Sequence, residues 1–338
     1  MKPTDFAYHL TNYLSKHLPG VEGCSPNTVK SYRDTFKLLL KFASEECGVK
    51  ESKITLSVIN KEFVLGFLSW VEKVRGCSVS TRNQRMSAVH AFCSYLQSEL
   101  PEQMYSLQQV MSIPMKRCAP KPLEFLSSEG VRALLSAPDT STKSGRKHMV
   151  ILCLLYSTGG RVQEISDLTV ADVLCNGNPI VKLIGKRRKA RIVPLDAPVI
   201  ELLRSYIDDF GLAEPSKLND TLFKNHSGGK MTRQGISHIL KKYADIIRKE
   251  RPDLIPKKLS PHSLRHSRAI DMLKSGVELI YIRDILGHVS VQTTEIYARI
   301  DSEMKRKALE KASLNVVNHD TPSWQKNRSL MCWLNDLK

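Results

Sequence analysis

The sequence lacks several features that would assign it to common classes of protein. No apolar run among its 338 residues approaches the length of a membrane-spanning helix, and the N-terminus has no basic segment followed by an apolar one. It has no glycine-rich P-loop and no acidic cluster of the kind that a two-metal nuclease uses. We therefore expect a cytoplasmic protein that does not bind a membrane and requires no metal, ATP or other cofactor.

The cysteines do not form a recognisable disulfide or metal pattern. There are eight of them, and no Cys-x-x-Cys pair occurs. Cys93 and Cys153 lie within apolar helical patterns. We expect the cysteines to be reduced thiols that lie in the hydrophobic core.

Acidic residues are scarce relative to basic ones. The chain has 51 Lys and Arg against 34 Asp and Glu, a formal charge of +17. This excess favours a polyanionic partner, and nucleic acid is the first candidate. Charge alone leaves open a merely basic soluble protein or a membrane-surface binder.

Hydrophobic spacing divides the chain into two parts. Four helical patterns occupy about the first hundred residues, and the first of them, from Phe6 to Leu18, should stop at Pro19 and Gly20. Residues 113–123 hold three prolines and three cations with little apolar periodicity, which is typical of a linker. The sequence predicts a helical DNA-binding domain at 1–112 and a second domain at 124–338.

The second part mixes helices with a short β element. Helices are predicted to begin at Ser127 and to run from about Lys147 to Tyr156, where a glycine pair follows. The β-branched runs PIVKLIG and ARIVPL flank the basic segment KRRK, which predicts a hairpin with charges at its tip. The predicted fold class is mainly α with a small β-hairpin or sheet, an α+β protein.

Polar faces of two predicted helices in the first part could contact phosphates or base edges. A solvated surface face is an equally good interpretation for each residue. The same pair of interpretations applies to two arginines at the hairpin tip. These candidates are Lys30, Arg33, Arg82, Asn83, Arg85, Arg187 and Arg188.

Residues suited to attack on a phosphodiester occur in four stretches, STGGRVQEI, IGKRRKARIVPL, PHSLRHSRA and ILGHVSVQTTEIYAR. Arg161 and Arg265 offer paired planar donors to an anionic transition state. Arg161 follows a glycine pair at a helix start, where free N–H groups and the helix dipole favour an anion. Glu164, three residues later, could orient Arg161 from the same face.

A tyrosine hydroxyl needs activation before it can act as a nucleophile, since its ordinary pKa is about 10. His262 is a plausible proton acceptor for Tyr297. His262 and Arg265 stand at i and i+3, so both should face one phosphate. Taken singly, each of these residues has a structural explanation, such as an exposed ion pair for Arg161 or a half-buried aromatic for Tyr297.

The ordered set resembles the tyrosine recombinase or phage integrase family over residues 122 to about 300, and more loosely over the N-terminal part. The resemblance implies a SAM-like core-binding domain and a catalytic domain that form a C-shaped clamp on DNA. It implies a 3′-phosphotyrosine at Tyr297, with His288, nine residues earlier, donating to a non-bridging oxygen. Lys186 would protonate the departing 5′ oxygen, although Lys182 and Lys189 lie on the same hairpin. The implied partners are double-stranded DNA with specific core sites and a homotetramer on two such sites.

Two positions depart from the family pattern. Arg187 follows Lys186, where the family often has glycine, so the hairpin tip should be stiffer or should grip DNA itself. Gly160 precedes Arg161, where a larger apolar residue is common, and we expect extra backbone freedom there.

The segment HVSVQTTEIYAR most resembles the corresponding segment of recombinases from transposons and related mobile elements. This resemblance implies a site-specific integrase or recombinase that serves a mobile element. The alternatives are a chromosome dimer-resolving recombinase of the same mechanism, a type IB topoisomerase and a non-catalytic DNA-binding regulator. After Pro322, an apolar stripe at helical spacing is predicted to dock on the next subunit or on its own domain. The stripe consists of Leu330, Trp333, Leu334 and Leu337.

Overall fold

The structure is a computed structural model that describes residues 3–119, 123–174, 179–185, 189–300 and 330–336. The chain divides into two units, residues 1–121 and 122–338. Within the described ranges, no helix combines the length and the hydropathy needed to cross a bilayer. Lys186, Arg187 and Arg188, named above as site residues, lie outside the described residues.

The first unit is a bundle of helices. They are α1 (Asp5–Asn12), α2 (Pro26–Glu46), α3 (Lys61–Lys73), α4 (Val79–Glu99) and α5 (Met104–Met111), with a π-helix at Tyr13–Val21 and short 3-10 turns at Glu51–Lys53, Leu56–Val58 and Pro101–Gln103. Ser25 and Ser78 cap α2 and α4, and each hydroxyl accepts a backbone N–H three residues later at 3.3 Å. The sequence predicted all of these α-helices except α5.

The first helix does not stop at Pro19 and Gly20 as predicted. It widens after Asn12 into the π-helix, which contains Pro19 and ends at Val21. A proline ring clashes with the carbonyl four residues back in α-helical geometry, and the wider winding of a π-helix relieves that contact. The helical path therefore continues past a residue that usually ends it.

Aromatic rings fill the centre of the first unit. Phe92 lies 5.1 Å from Phe36 and 5.2 Å from Tyr13 between ring centroids, and Tyr95 lies 5.1 Å from Tyr13. All four side chains are buried. Burial of each such ring contributes about 2 to 3 kcal/mol, so this cluster accounts for much of the stability of the bundle.

The basic face predicted on α4 is largely engaged inside the unit. Arg82 is only 3% exposed, and its guanidinium donates to the Pro114 carbonyl at 3.3 Å. Asn83 donates to the Lys116 carbonyl at 2.7 Å and accepts its N–H at 3.1 Å. The expectation that Arg82 lies on an exposed face is therefore wrong, because residues 113–116 of the predicted linker pack on α4 and bond to it.

The other polar candidates of the first unit differ in exposure. Arg85 bridges α4 to α2 through the Ser31 carbonyl at 3.3 Å and the Thr35 hydroxyl at 3.0 Å. Lys30 and Arg33 are exposed on α2, and Arg33 pairs with the adjacent Asp34. Lys30 and Arg33 thus remain the members of this set that a phosphate could reach directly.

The second unit packs helices against a small sheet. Its elements are α6 (Ser128–Ser136), α7 (Lys143–Thr158), α8 (Val162–Ser166), β1 (Val173–Leu174), β2 (Ile180–Ile184), β3 (Ala190–Pro194), α9 (Ala197–Asp209), α10 (Arg233–Glu250), α11 (Pro261–Lys274), α12 (Leu279–Leu286), α13 (Gln292–Ile300) and α14 (Leu330–Asp336). Helix α7 lies at the centre of the core, where Ile151, Leu154 and Leu155 are fully buried. The Tyr156 hydroxyl donates to Asp271 at 2.6 Å and ties α7 to α11.

The predicted hairpin is confirmed. Strands β2 and β3 pair antiparallel with Ile184 opposite Ala190, and β1 adds a third strand beside β2 that the sequence did not predict. The Gly185 N–H donates to the Lys189 carbonyl at 2.9 Å and closes the described part of the hairpin. The fold class, mainly helical with a small antiparallel sheet, is likewise confirmed.

The cysteine prediction holds for the two residues named from helical patterns. Cys93 and Cys153 are buried thiols. Cys47, Cys118 and Cys332 are exposed instead, because they lie at a helix end, in the linker segment and on α14. Apolar periodicity locates a cysteine in the core only where the surrounding pattern is itself buried.

Candidate active site

The candidate site begins where α7 ends and α8 starts. Gly159 terminates α7 in the left-handed conformation, with φ of 55°, and Arg161 is the residue that precedes the first turn of α8. The Arg161 N–H donates to the Glu164 carboxylate at 2.8 Å, so that carboxylate is the anion held at the helix start. Glu164 therefore already satisfies one of the N–H groups that the sequence suggested for an anion, that of Arg161.

Gly160 is held in close packing and does not supply the extra freedom that we expected. A Cβ at this position would lie 2.9 Å from the Ile165 side chain and 3.0 Å from the Thr158 hydroxyl. A larger residue would therefore require the Ile165 and Thr158 side chains to shift. Glycine brings the backbone close to α8 and fixes the path into Arg161.

Glu164 joins two arginines. It accepts from the Arg161 guanidinium at 2.9 Å and from both terminal nitrogens of Arg191 at 2.7 and 3.0 Å. Burial raises the pKa of its carboxyl, but hydrogen bonds from Arg191 and Arg161 and the charge of Arg191 hold that pKa below its ordinary value. Glu164 is therefore an anion that fixes the guanidiniums on either side of it.

Arg191 was missed by sequence reasoning. It lies on β3, is mostly buried, and also donates through Nε to the Ile285 carbonyl at 2.8 Å. On a strand it shares a face with buried Val193, two residues later. That alternation was the signal that could have distinguished Arg191 from the other cations of the hairpin.

Arg265 is held by the carboxyl ends of two helices. Its guanidinium is 1% exposed and donates to the Gly159 carbonyl and to the Leu286 carbonyl, each at 2.7 Å. These carbonyls lie at the ends of α7 and α12, where the helix dipole favours a cation. The Arg161 guanidinium likewise donates to the Gly287 carbonyl at 3.2 Å. The two predicted arginines therefore meet at the same pair of helix ends.

The site carries more positive than negative charge. Burial and the charges of Arg161 and Arg191 lower the pKa of Arg265 to about 10. The Arg265 Nε is buried without a hydrogen-bond partner. Guanidiniums that crowd together with spare donors are suited to bind a phosphate, because its oxygens accept paired hydrogen bonds and its charge relieves their repulsion.

Tyr297 and His288 stack on each other near Arg265. Tyr297, on α13, is 3% exposed, and burial raises the pKa of its hydroxyl while the charge of Arg265 lowers it in part. The His288 ring stacks 6.4 Å from the Tyr297 ring, between centroids. Thr294, which is fully buried, holds His288 through a 3.0 Å contact to Nδ1, so Nε2 is left to contact a substrate.

His262 and His266 lie on one face of α11, but they make different contacts. Nδ1 of His266 lies 2.9 Å from the Tyr297 hydroxyl oxygen, whereas the His262 ring is exposed and packs on His266 at 4.7 Å. In this structure the nitrogen beside the Tyr297 hydroxyl therefore belongs to His266 and not to His262, the acceptor that the sequence suggested. The signal that could have found His266 was its i, i+4 spacing from His262.

Burial lowers the pKa values of the three histidines. The pKa is lowered to about 4 for His266, with the charges of His262 and Arg265 adding to burial. It is also lowered to about 4 for His288, and below its ordinary value for His262. Each ring is therefore neutral at pH 7 in this arrangement, and each has one nitrogen that can accept a proton.

The base of the hairpin reaches the same site. A Cβ at Gly185 would lie 3.1 Å from Glu164 Oε1 and 3.8 Å from the Arg161 guanidinium. Lys186 follows directly in the sequence but lies outside the described residues. Among the residues that the structure describes, no three His, Cys, Asp or Glu side chains come together as metal ligands.

Comparisons with known proteins show the family of the chain. The family model described as the phage integrase family matches residues 124–304, and that of its N-terminal SAM-like domain matches residues 11–99. A candidate integrase/recombinase named y4rC, from Sinorhizobium fredii, is 34% identical over 337 residues and covers 99% of each chain. A tyrosine recombinase named XerC, from Pelotomaculum thermopropionicum, is 30% identical over 90% of this chain and 97% of the relative.

A solved structure shows the same fold. The Tn1549 transposon integrase in complex with transposon right end DNA has a TM-score of 0.68 and 17% identity to this chain. The similarity covers 89% of this chain and 98% of the other. At that identity it supports the architecture of the elements, while the sequence matches support the family.

Proposed function

Because the chain belongs to the phage integrase family, and is thus a tyrosine recombinase that cleaves and rejoins DNA, we propose that it recombines specific DNA sites for a mobile genetic element. In this proposal Tyr297 is the nucleophile and forms a 3′-phosphotyrosine. The observation that carries it is that Arg265 and Arg161 both donate to carbonyls at the end of α12, and that Tyr297 lies close enough for the charge of Arg265 to lower the pKa of its hydroxyl in part.

The chemistry follows from these contacts. The two arginines hold the scissile phosphate and stabilise the charge that gathers on its non-bridging oxygens, with His288 donating a further hydrogen bond. The Tyr297 oxygen bonds to phosphorus, the bond to the 5′ oxygen breaks, and Lys186 supplies a proton to that oxygen. Attack by another 5′ hydroxyl on the phosphotyrosine reverses the step and rejoins the strand.

Arg191 and Glu164 act through the arginines that bind the phosphate. Glu164 neutralises part of the charge and fixes Arg161, while Arg191 holds Glu164 from the sheet side. A carboxylate saturated in this way cannot repel the phosphate as an unpaired one would. The pair therefore keeps the anion-binding donors in place before DNA arrives.

We further propose that the partner is double-stranded DNA with specific core sites and that a homotetramer joins two such sites. The charge of +17 and the exposed Lys30 and Arg33 on α2 support DNA binding. On α14, Met331 is 67% and Leu334 48% exposed, which supports docking of the tail on another subunit. The matching SAM-like domain favours a recombinase over a type IB topoisomerase.

The alternative biological role is a recombinase that resolves chromosome dimers by the same chemistry. The relative named XerC, nearly as similar as y4rC, favours it. The y4rC relative, which matches over almost the whole of both chains, favours integration or excision of an element. Both roles require the same covalent step.

Covalent capture tests the proposal. The full-length protein, without metal or ATP, is incubated with a library of nicked duplexes whose core is randomised, and a denaturing gel resolves protein-linked DNA. We expect an adduct from the wild type and from Tyr281→Phe, whose exposed ring on α12 is a matched control, and none from Tyr297→Phe. An adduct that survives Tyr297→Phe contradicts the proposal.

The captured sequences decide between the two roles. Recovered sites that match the ends of an element surrounding the gene support integration or excision. Recovery of one chromosomal site near the replication terminus supports dimer resolution and overturns the mobile-element role.

A further inference from the structure

The hydroxyl of Tyr297 has a hydrogen-bonding partner that sequence reasoning did not find. Nδ1 of His266 lies 2.9 Å from the Tyr297 oxygen, with the rings 5.7 Å apart between centroids. Tyr297 is 3% exposed, so water has little access to this hydroxyl. A buried phenol keeps its proton unless a neighbouring group accepts it.

The other candidate acceptor makes a different contact. His262 lies one turn earlier on α11, is exposed, and packs edge-on against the His266 ring at 4.7 Å. The His288 ring is stacked on Tyr297, and its Nδ1 is bonded to Thr294. Of the three histidines, His266 is the one whose ring nitrogen lies within hydrogen-bonding distance of the attacking oxygen.

We propose that His266 accepts the hydroxyl proton of Tyr297 during DNA cleavage, and this inference rests on the proposed function. As the Tyr297 oxygen bonds to phosphorus, its proton passes to Nδ1 of His266. The electron pair of the broken bond leaves on the 5′ oxygen, which takes a proton from Lys186. In rejoining, His266 returns its proton to the tyrosine oxygen.

The surroundings of His266 determine its protonation state at pH 7. The groups that interact with it electrostatically are His262 and Arg265 of its own helix, His288 of the turn after α12, and Tyr297 of α13. Burial and the neighbouring positive charge keep His266 neutral at pH 7, with its pKa lowered to about 4. A neutral imidazole is free to accept a proton, and the nearby Arg265 stabilises the tyrosinate as it forms.

The assignment leaves His262 with another task. Part of the residue is exposed, but partial burial of the ring, together with the charges of Arg265 and Arg161, lowers its pKa. A neutral, exposed imidazole next to the anion-binding donors can contact the phosphate itself. In this proposal His266 acts on the nucleophile, Tyr297, and His262 contacts the phosphate of the substrate.

The test uses single-turnover cleavage by the full-length protein of a nicked duplex that carries the captured site. Duplexes with an ordinary 5′ oxygen or a 5′ bridging sulfur are compared, because a thiolate leaves without protonation. The variants are His266→Ala, His266→Asn, which keeps a hydrogen-bonding group near Nδ1 but not its basicity, and His262→Ala as the comparison. Gel-shift binding confirms that each variant still folds and binds the duplex.

We expect both His266 variants to cleave at least ~100-fold more slowly at pH 7 with either leaving group, as loss of a general base predicts. Their rates should rise about tenfold per pH unit from pH 7 to 9.5, as hydroxide replaces the base. The wild type and His262→Ala should show a flat profile over this range.

Three results overturn the inference. One is a His266→Asn variant that cleaves within about threefold of wild type, since general-base loss predicts far more. Another is a slow His266 variant with a flat pH profile, which indicates a purely structural role. The third is the steep profile appearing in His262→Ala instead. Absence of any wild-type adduct is a different failure, that of the proposed function.

Discussion

Glu164 is the side chain through which two arginines of the site share one counterion. It is 3% exposed, and its partners Arg161 and Arg191 are 31% and 10% exposed. Glu164→Gln keeps the shape but removes the charge, which leaves Arg191 buried without an anion. We expect a loss of about 3 kcal/mol in the unfolding free energy of the second unit. Urea denaturation measures this free energy, and hydrogen exchange in peptides from α7 and α8 shows whether the loss lies around Glu164.

The stabilisation that Glu164 provides should depend on pH in a definite direction. The pKa of Glu164 is held below its ordinary value of 4.5, so its charge stabilises the fold fully above that pH. That stabilisation is lost as the pH falls through the lowered pKa of the folded state. The difference between wild type and Glu164→Gln should therefore be full at pH 7 and should shrink on acidification below about pH 4.

A matched control is Glu129→Gln, which removes an exposed pair with Arg251. Exposed pairs contribute little, so stability should hardly change. If Glu164→Gln behaves like this control, Glu164 does not fix the arginines and the account of the site fails at that residue.

At the level of single residues, the sequence located most of the site but not its contacts. Arg161 precedes α8 and His288 follows the glycine turn that ends α12, and the sequence marks both places. Arg265 and Tyr297 lie within α11 and α13, so their position near the other two depends on how those helices pack. Arg191 was missed because the hairpin contains several basic residues. Only its place on the inward face of β3 distinguishes it from the others. His266 was missed because the choice between two histidines on one helical face depends on where α13 packs.

The hairpin of β2 and β3 is the element that connects the sheet to the site. Gly185 at its base lies so near Glu164 that a Cβ there would be 3.1 Å from Oε1, and Lys186 is the next residue in the sequence. We predict that Lys186→Ala slows cleavage of the oxygen duplex by about 100-fold or more and that the 5′ sulfur duplex restores the rate. Such rescue identifies the group that protonates the leaving oxygen.

Lys189→Ala is the matched control on the other side of the tip, where Lys189 is exposed. It should cleave both duplexes at nearly the wild-type rate. Sulfur rescue of Lys189→Ala or Lys182→Ala, and not of Lys186→Ala, would assign the role to a different lysine of the hairpin.

Helices and strands were predictable where local signals agreed. Capping serines and apolar stripes predicted α2, α4 and α6, and β-branched runs predicted β2 and β3. The π-helix was not predictable, because a proline in sequence indicates a stop and only packing of the helix decides otherwise. Strand β1 has two residues, too few for any period to appear.

At the scale of the whole molecule, the proposed tetramer depends on the C-terminal tail. The described tail helix α14 exposes Met331 and Leu334, and burial of such side chains contributes about 1.5 to 3 kcal/mol each. We predict that deletion of residues after Pro322 lowers tetramer formation on two-site DNA by at least about tenfold, equivalent to 1.4 kcal/mol. Single-site binding should change little.

Analytical ultracentrifugation of the DNA complexes measures the assembly, and Leu334→Asp offers a point variant with the same expected direction. Unchanged tetramer formation by the truncated protein would show that the tail packs on its own domain. The sequence left both arrangements open, since an apolar stripe indicates burial but not which chain supplies the groove.

The most direct test of the central claim is to identify the amino acid that joins the protein to DNA. The captured complex is digested with nuclease and trypsin, and mass spectrometry locates the nucleotide. We predict that it is attached to Tyr297 in the peptide of residues 284–299. A nucleotide on any other residue, with this peptide unmodified, would contradict the account.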